Sequence, residues 1–189
     1  MVKKISTCVF VTGKGSNLNI LIKKAKSKIF PIKIELVISN NIKSNGLKIA
    51  KKHGIKAKFI EFKNQNTFES KALNELKINK IKFICLAGFM KILSPKFIKT
   101  FSYKIINIHP SLLPKFKGLN TFERVLKNSE KKTGCTVHYV SEKVDAGKII
   151  TQKSFFIQKN DNEKILKRKT QKLEYTAFSE AIRKIYRYN

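Results

Sequence analysis

Tryptophan is missing from this chain of 189 residues, and cysteine, histidine and aspartate are scarce, with three, three and two of each. Of the cysteines, Cys8, Cys85 and Cys135, two lie inside apolar strand-like runs and none stands in a paired metal-ligand spacing. That pattern argues for buried thiols in a reducing compartment, with neither a disulfide nor a bound metal expected. Nowhere do about 18 apolar residues run together, and the apolar run after Lys4 is too short for a secretory signal, so no membrane partner and a cytoplasmic location are expected. Proton transfer near neutral pH has only His53, His109 and His138 to draw on.

Acidic residues are also few: 12 against 41 basic ones, a formal charge of +29. Such an excess is compatible with nucleic acid, but its distribution points elsewhere. Only Arg124, Arg168, Arg183 and Arg187 are arginines, and the lysines spread along the whole chain among abundant Asn and Ile. Selected nucleic-acid sites favour clustered arginine with aromatics, so no nucleic-acid partner is expected and the lysine reads as compositional bias on a solvated surface. A field of this sign also attracts small polyanionic substrates.

The length suits one domain with a real core, here residues 1–189. Residues 6–11 form a short apolar run that breaks into Thr12-Gly13-Lys14-Gly15-Ser16-Asn17 before the helical spacing of Leu18, Leu21 and Ile22. Strand, glycine loop and helix in that order make either a phosphate site or a plain tight turn. Two glycines allow close backbone approach, and Ser16 and Asn17 add donors at the positive end of the helix. The pattern is neither a full dinucleotide fingerprint nor a P-loop.

Further strands are expected at 31–39, 57–62, 81–87 and 105–109, with helices at 46–52, 67–79 and 121–128 and a short one from Ser94-Pro95. His53-Gly54 reads as a helix C-terminus. Residues 135–140 and 149–157 leave no room for a crossover helix and read as antiparallel edge strands. Asp161 stands as a helix N-cap ahead of a long C-terminal helix reaching about Tyr186, in which Gln171 and Glu174 share a face. The fold class is therefore α/β, a mostly parallel twisted sheet flanked by helices. In such sheets ligands sit beyond the carboxyl ends of the strands, so the loops after Val11, Ala87 and Ile108 are expected to converge.

Asn107-Ile108-His109-Pro110-Ser111-Leu112-Leu113-Pro114 is the stretch richest in chemistry. Alternation puts Asn107 and His109 on one face of a strand end, and Pro110 stops the ladder. An amide and an imidazole side by side can donate to a developing oxyanion and pass a proton, unless His109 is simply a satisfied core histidine. Asp145, one of the two aspartates, lies in the polar, glycine-ended loop 141–147.

With these residues together the chain resembles the folate-dependent phosphoribosylglycinamide formyltransferases over nearly its whole length. The resemblance is carried by Gly13 to Leu18, Leu86 to Pro95, Asn107 to Pro114, Gly134 to Val140 and Asp145 to Ile150. It implies a Rossmann-like formyltransferase fold and transfer of the formyl group of 10-formyltetrahydrofolate to the amine of glycinamide ribonucleotide, by direct attack through a tetrahedral intermediate, in purine synthesis. It further implies a catalytic set in which Asn107 donates to the oxyanion, His109 stabilises it and protonates the leaving folate nitrogen, and Asp145 favours the charged imidazole. By the same resemblance Gly15, Ser16 and Asn17 bind the ribonucleotide phosphate, and Gln171 and Glu174 meet the substrate amine. The folate site maps onto Met90, Lys91, Ile92, Leu93, Asn107, Ser141, Glu142, Lys143, Val144 and Asp145. Gln65 stands where many members carry a folate-contacting arginine, and Phe122 where a second histidine is often seen. A monomer or weak homodimer is expected.

The same domain resembles parts of methionyl-tRNA formyltransferase and formyltetrahydrofolate deformylase. Chain length, Pro110 after His109 and Gly118-Leu119-Asn120-Thr121 favour the glycinamide enzyme over both.

Overall fold

A computed structural model describes residues 4–186. Thirteen elements follow one another in it: β1 (Ile5–Val11), α1 (Ser16–Ala25), β2 (Ile32–Ser39), α2 (Asn45–Lys52), β3 (Lys56–Phe59), α3 (Gln65–Ile78), β4 (Phe83–Leu86), α4 (Pro95–Thr100), β5 (Lys104–His109), α5 (Thr121–Lys127), β6 (Lys132–Tyr139), β7 (Ile149–Phe156) and α6 (Glu163–Ile185). The strands form a seven-stranded mixed sheet in the order β3-β2-β1-β4-β5-β6-β7. By internal contacts the chain divides into two compact units, one running up to Ile106 and including Tyr186, the other Asn107–Ile185.

In the first unit β1 pairs in parallel with both β2 and β4, and β2 with β3. Parallel strands covered on both faces need continuous apolar runs, and Cys8, Val9, Phe10 and Val11 are all fully buried. Phe10 stands edge-on to Phe68, Phe89 and Phe97, so a helix, a loop and a second helix are locked onto the central strand by ring contacts. Helix starts follow their capping residues: Ser44, Asn64 and Ser94 accept from the amides of Gly46, Thr67 and Phe97. His53 closes α2, its amide bonded to the Ala50 carbonyl, and Gly54 takes φ 66°. β3 is shorter than residues 57–62 because only the Ile60 amide continues the ladder, to Ser39, before the chain leaves this edge.

In the second unit β6 and β7 are antiparallel, as the short connection between them requires. Their register shifts between Val137 and His138, where Ile150 of β7 is passed over, a bulge in β7 opposite the end of β6. α6 covers both strands and buries Leu166, Ala177, Phe178, Ala181 and Ile182, while Ile165 and Leu173 are only half-buried. The capping expectation at this helix shifts by one residue. Asn162, not Asp161, accepts from the Ile165 amide, and Asp161 instead accepts from Gln158 and pairs with Lys169. Cys8, Cys85 and Cys135 are free and buried.

Candidate active site

In the first unit the carboxyl ends of β1 and β4 are stitched together. The Thr12 amide donates to the Gly88 carbonyl, and the Met90 amide donates to the Thr12 hydroxyl. The glycine loop between β1 and α1 also leans on α2: Ser44 Oγ and the Gly46 amide both donate to the Gly13 carbonyl. Gly15 has φ 70°, and a Cβ there would lie 2.8 Å from the Gly46 Cα, so both the conformation and the space demand glycine. α1 therefore starts with no side-chain cap and no acidic residue in its first turn. That leaves a positive helix end, flanked by Ser16 and by the buried Asn17, suited to an anion.

The 88–93 segment shows mixed placements. Met90 and Ile92 are about two-thirds exposed, unusual for large apolar side chains, whereas Leu93 belongs to the core. Lys91 lies over the Phe62 ring. Gln65 spends its amide group on Glu69 and the Ile92 carbonyl, so it props this segment from α3. The buried Glu69 also accepts from the Ser94 amide and hydroxyl, which fixes the far end of the loop.

The second unit brings Asn107, His109 and Asp145 together, with His138 added. His109 Nδ1 is 3.2 Å from Asp145 Oδ2, and its Nε2 is 2.8 Å from the Phe116 carbonyl oxygen. Asp145 Oδ2 also accepts from the Gly118 amide at 2.9 Å, and Oδ1 lies 3.5 Å from His138 Nε2. His138 Nδ1 donates to the Tyr139 carbonyl, and its Nε2 meets Asn107 Nδ2 at 3.3 Å. Four polar side chains thus form one connected network on β5, β6 and the loop after β6.

Each segment of this network is held in place by its own chemistry. Thr136 Oγ1 donates to the Ser111 carbonyl and accepts from the Leu113 amide and Gln152, which clamps the 110–114 turn to β6. Arg124 on α5 donates to the Lys117 carbonyl and stacks over Phe116, which sits at φ 57°. Gly147 passes so close to β6 that a Cβ would fall 1.7 Å from the Tyr139 carbonyl oxygen, and this crossing turns Asp145 inward at φ 48°. The other residues of that loop, Glu142, Lys143 and Val144, are exposed, with Ser141 bonded to the Lys143 carbonyl.

Burial lowers the His109 imidazole below its ordinary range, while the Phe116 carbonyl and the Asp145 carboxylate pull it back up. Burial pushes the Asp145 carboxyl up, but the neighbouring His138 imidazole, the Gly118 amide and the charge of His109 outweigh it and hold it low. With an acceptor at each ring nitrogen, a neutral His109 leaves one lone pair facing another; only the imidazolium satisfies both partners. The arrangement is a buried proton donor with its counter-charge, beside an oriented amide. It is suited to a reaction that builds negative charge on oxygen and then needs a proton.

Gln171 and Glu174 sit half-buried on α6, and Glu174 adds to the burial that pushes the Cys135 thiol up to about 12. His138, absent from the expected set, was detectable in principle. Alternation along β6 puts it on the same face as Thr136 and opposite the apolar Cys135 and Val137.

A family model described as "Formyl transferase" matches residues 5–182. Phosphoribosylglycinamide formyltransferase of Haemophilus influenzae is 40% identical over 179 residues, covering 93% of this chain and 84% of that protein. The trifunctional purine biosynthetic protein adenosine-3 of Gallus gallus is 40% identical over 95% of this chain, which spans only 18% of that relative's length. Among solved structures, phosphoribosylglycinamide formyltransferase from Brucella melitensis aligns with a TM-score of 0.92 at 35% identity, over 99% of this chain and 98% of that one. The enzyme of that name from Anaplasma phagocytophilum gives 0.89 at 37%, over 95% and 86%.

Proposed function

The chain belongs to the formyl transferase family, and on that premise we propose that it is a phosphoribosylglycinamide formyltransferase, moving the formyl group of 10-formyltetrahydrofolate onto the amine of glycinamide ribonucleotide in purine synthesis. The observation that carries this reading is the Asn107, His109, His138 and Asp145 network, with both His109 nitrogens facing acceptors. The folate supplies the activated formyl carbon and a nitrogen that must leave with a proton. Asn107, its amide held by His138, donates to the oxygen of the formyl group as charge builds there. His109 in its imidazolium form stabilises that charge and delivers the proton to the departing nitrogen, and Asp145 raises the imidazole against the pull of burial. The uncapped start of α1, with Gly15, Ser16 and Asn17, takes the ribonucleotide phosphate, and Gln171 and Glu174 meet the amine.

The chain's own residues fit a folate. Met90 and Ile92 offer exposed apolar surface to a flat ring, and Val144 does the same in the 141–145 loop, where Ser141, Glu142 and Lys143 contribute backbone groups. Lys91, Leu93, Asn107 and Asp145 complete the folate-contacting set, and Gln65 acts by supporting the 88–93 segment. The family match spans both units, which supports reading the chain as one formyltransferase domain. No helix among the described residues is long and apolar enough to cross a membrane. We place the enzyme in the cytoplasm as a monomer or weak homodimer whose partners are its two substrates.

A coupled assay with 10-formyltetrahydrofolate tests the proposal by offering glycinamide ribonucleotide, water or charged initiator tRNA as acceptor. Turnover with the ribonucleotide alone is expected; turnover with water or tRNA in its place would overturn it.

A further inference from the structure

A cavity of about 560 Å³ opens in the first unit at the amino ends of its strands, the end opposite the glycine loop and the 88–93 segment. Parallel pairing fixes this placement, since the Lys82 amide just before β4 bonds the Ser6 carbonyl near the start of β1. The walls include Leu73, Asn74, Lys77, Lys80, Lys82 and Tyr103, and no carboxylate. Its size suits a small organic molecule, for which pockets run from about 300 to 1,000 Å³.

Two features give the cavity a chemical preference. Tyr103 is 49% exposed, and its ring meets the buried Phe101 in a T-shaped contact at 5.7 Å, so the ring is anchored by one neighbour while about half of the side chain stays open. Lys77, Lys80 and Lys82 have no carboxylate partner among the described residues, and the nearby Glu75 is already paired with Lys58. Lysines do gather at helix C-termini to offset the macrodipole, and α3 and α4 both end at this rim. Two such ends together carry roughly one negative charge, so three ammonium groups leave a surplus of about two. A half-open aromatic ring, an amide at Asn74 and two uncompensated positive charges suit a flat base joined to a phosphate.

We infer that this cavity is a second ligand site, separate from the formyl-transfer chemistry, that binds a nucleoside monophosphate. The base stacks on Tyr103 and the phosphate is held by Lys77, Lys80 and Lys82.

The test is an NMR titration of the isotope-labelled protein with adenosine monophosphate, with adenosine and inorganic phosphate as separate arms. Saturable shifts in residues 73–82 and 100–103 are expected, with the nucleotide binding more tightly than either fragment. Tyr103→Ala should weaken it at least about fivefold, the usual worth of one base–aromatic stack. The double change Lys77→Gln with Lys82→Gln should weaken it about tenfold and flatten its salt dependence. Formyl-transfer rates of both variants should match the unaltered protein. Shifts confined to residues 13–17, inorganic phosphate binding as tightly as the nucleotide, no saturation, or undiminished affinity in both variants would each overturn the assignment. None of these outcomes bears on the formyl-transfer reading, whose assay is independent.

Discussion

His109 and Asp145 face each other with Nδ1 and Oδ2 3.2 Å apart, both side chains more than nine-tenths buried. The carboxylate is one of the few influences raising an imidazole that burial otherwise lowers. Asp145→Asn removes that influence while keeping the size of the side chain. His109 should then titrate at lower pH, and kcat should fall by about tenfold or more, because general acid catalysis contributes roughly a hundredfold and upward. KM should change little, since the proton is needed only past the ground state. NMR titration of His109 in both proteins decides the matter: an unchanged pKa in a folded, inactive variant rejects the tuning role.

The same shifts set a pH dependence of stability. His109 has a lowered folded-state pKa, so the unfolded chain takes up that proton more readily. Its stabilisation is complete above the unfolded value of about 6.5 and is lost as pH falls below it. Asp145, also lowered, contributes stability present above about 3.9 that is lost in stronger acid. Urea unfolding between about pH 7.5 and pH 5.5 should show a loss of at most about 1.4 kcal/mol per pH unit from His109. His109→Gln should remove that share of the slope, and an identical slope in the variant would contradict the assignment.

Asn17→Ala should raise KM for the ribonucleotide by about tenfold, the worth of a hydrogen bond to a charged group. KM for the folate and kcat should hardly move. Equal changes for both substrates would show that the start of α1 is structural and not a phosphate site.

Where local chemistry decides the outcome, sequence and structure agree. The glycine loop, the caps Ser94 and His53, and the antiparallel β6 and β7 follow from turn geometry and chain length. The period of a strand puts Asn107 and His109 on one face and scarcity singles out Asp145; the structure joins the three through His138, and their roles belong to the proposed function. Other features depend on distant partners. Gln65 supports the Ile92 carbonyl because Glu69 lies one helical turn on and the 88–93 loop folds back over α3. The face of His138 is legible in β6, but its contacts with Asn107 and Asp145 bring in β5 and the loop after β6, which no window on β6 alone reveals. Asp161 cedes the cap to Asn162 because Lys169 and the Gln158 amide compete for its carboxylate.

Thr136 is fully buried and its hydroxyl serves three partners, the Ser111 carbonyl, the Leu113 amide and Gln152. Thr136→Val keeps the shape and strands these groups, at a cost of about 1–3 kcal/mol for each buried one left unsatisfied. A loss of about 2–4 kcal/mol in chemical denaturation is expected, with a further drop in kcat because the turn after His109 loosens. Wild-type stability would show that water replaces the hydroxyl.

His138 offers the sharpest separation of orientation from binding. Its Nδ1 lies 2.9 Å from the Tyr139 carbonyl oxygen, which only accepts, so in the neutral ring the proton sits on Nδ1 and Nε2 carries the lone pair. Asn107 Nδ2, 3.3 Å away, donates into that lone pair, which turns the NH₂ end of the amide toward the imidazole and leaves its second N–H for the reacting oxygen. His138→Leu ends the contact that orients Asn107. Losing an oxyanion donor outright costs about a hundredfold to a thousandfold. A donor that is present but unoriented should cost less, so kcat is expected to fall by roughly tenfold to a hundredfold with KM for both substrates nearly constant. His138→Gln, whose side-chain oxygen can still accept from Asn107, should recover part of that loss. A raised KM with kcat intact, or a glutamine variant no better than leucine, would remove His138 from the positioning of Asn107 and leave it as packing beneath Asp145.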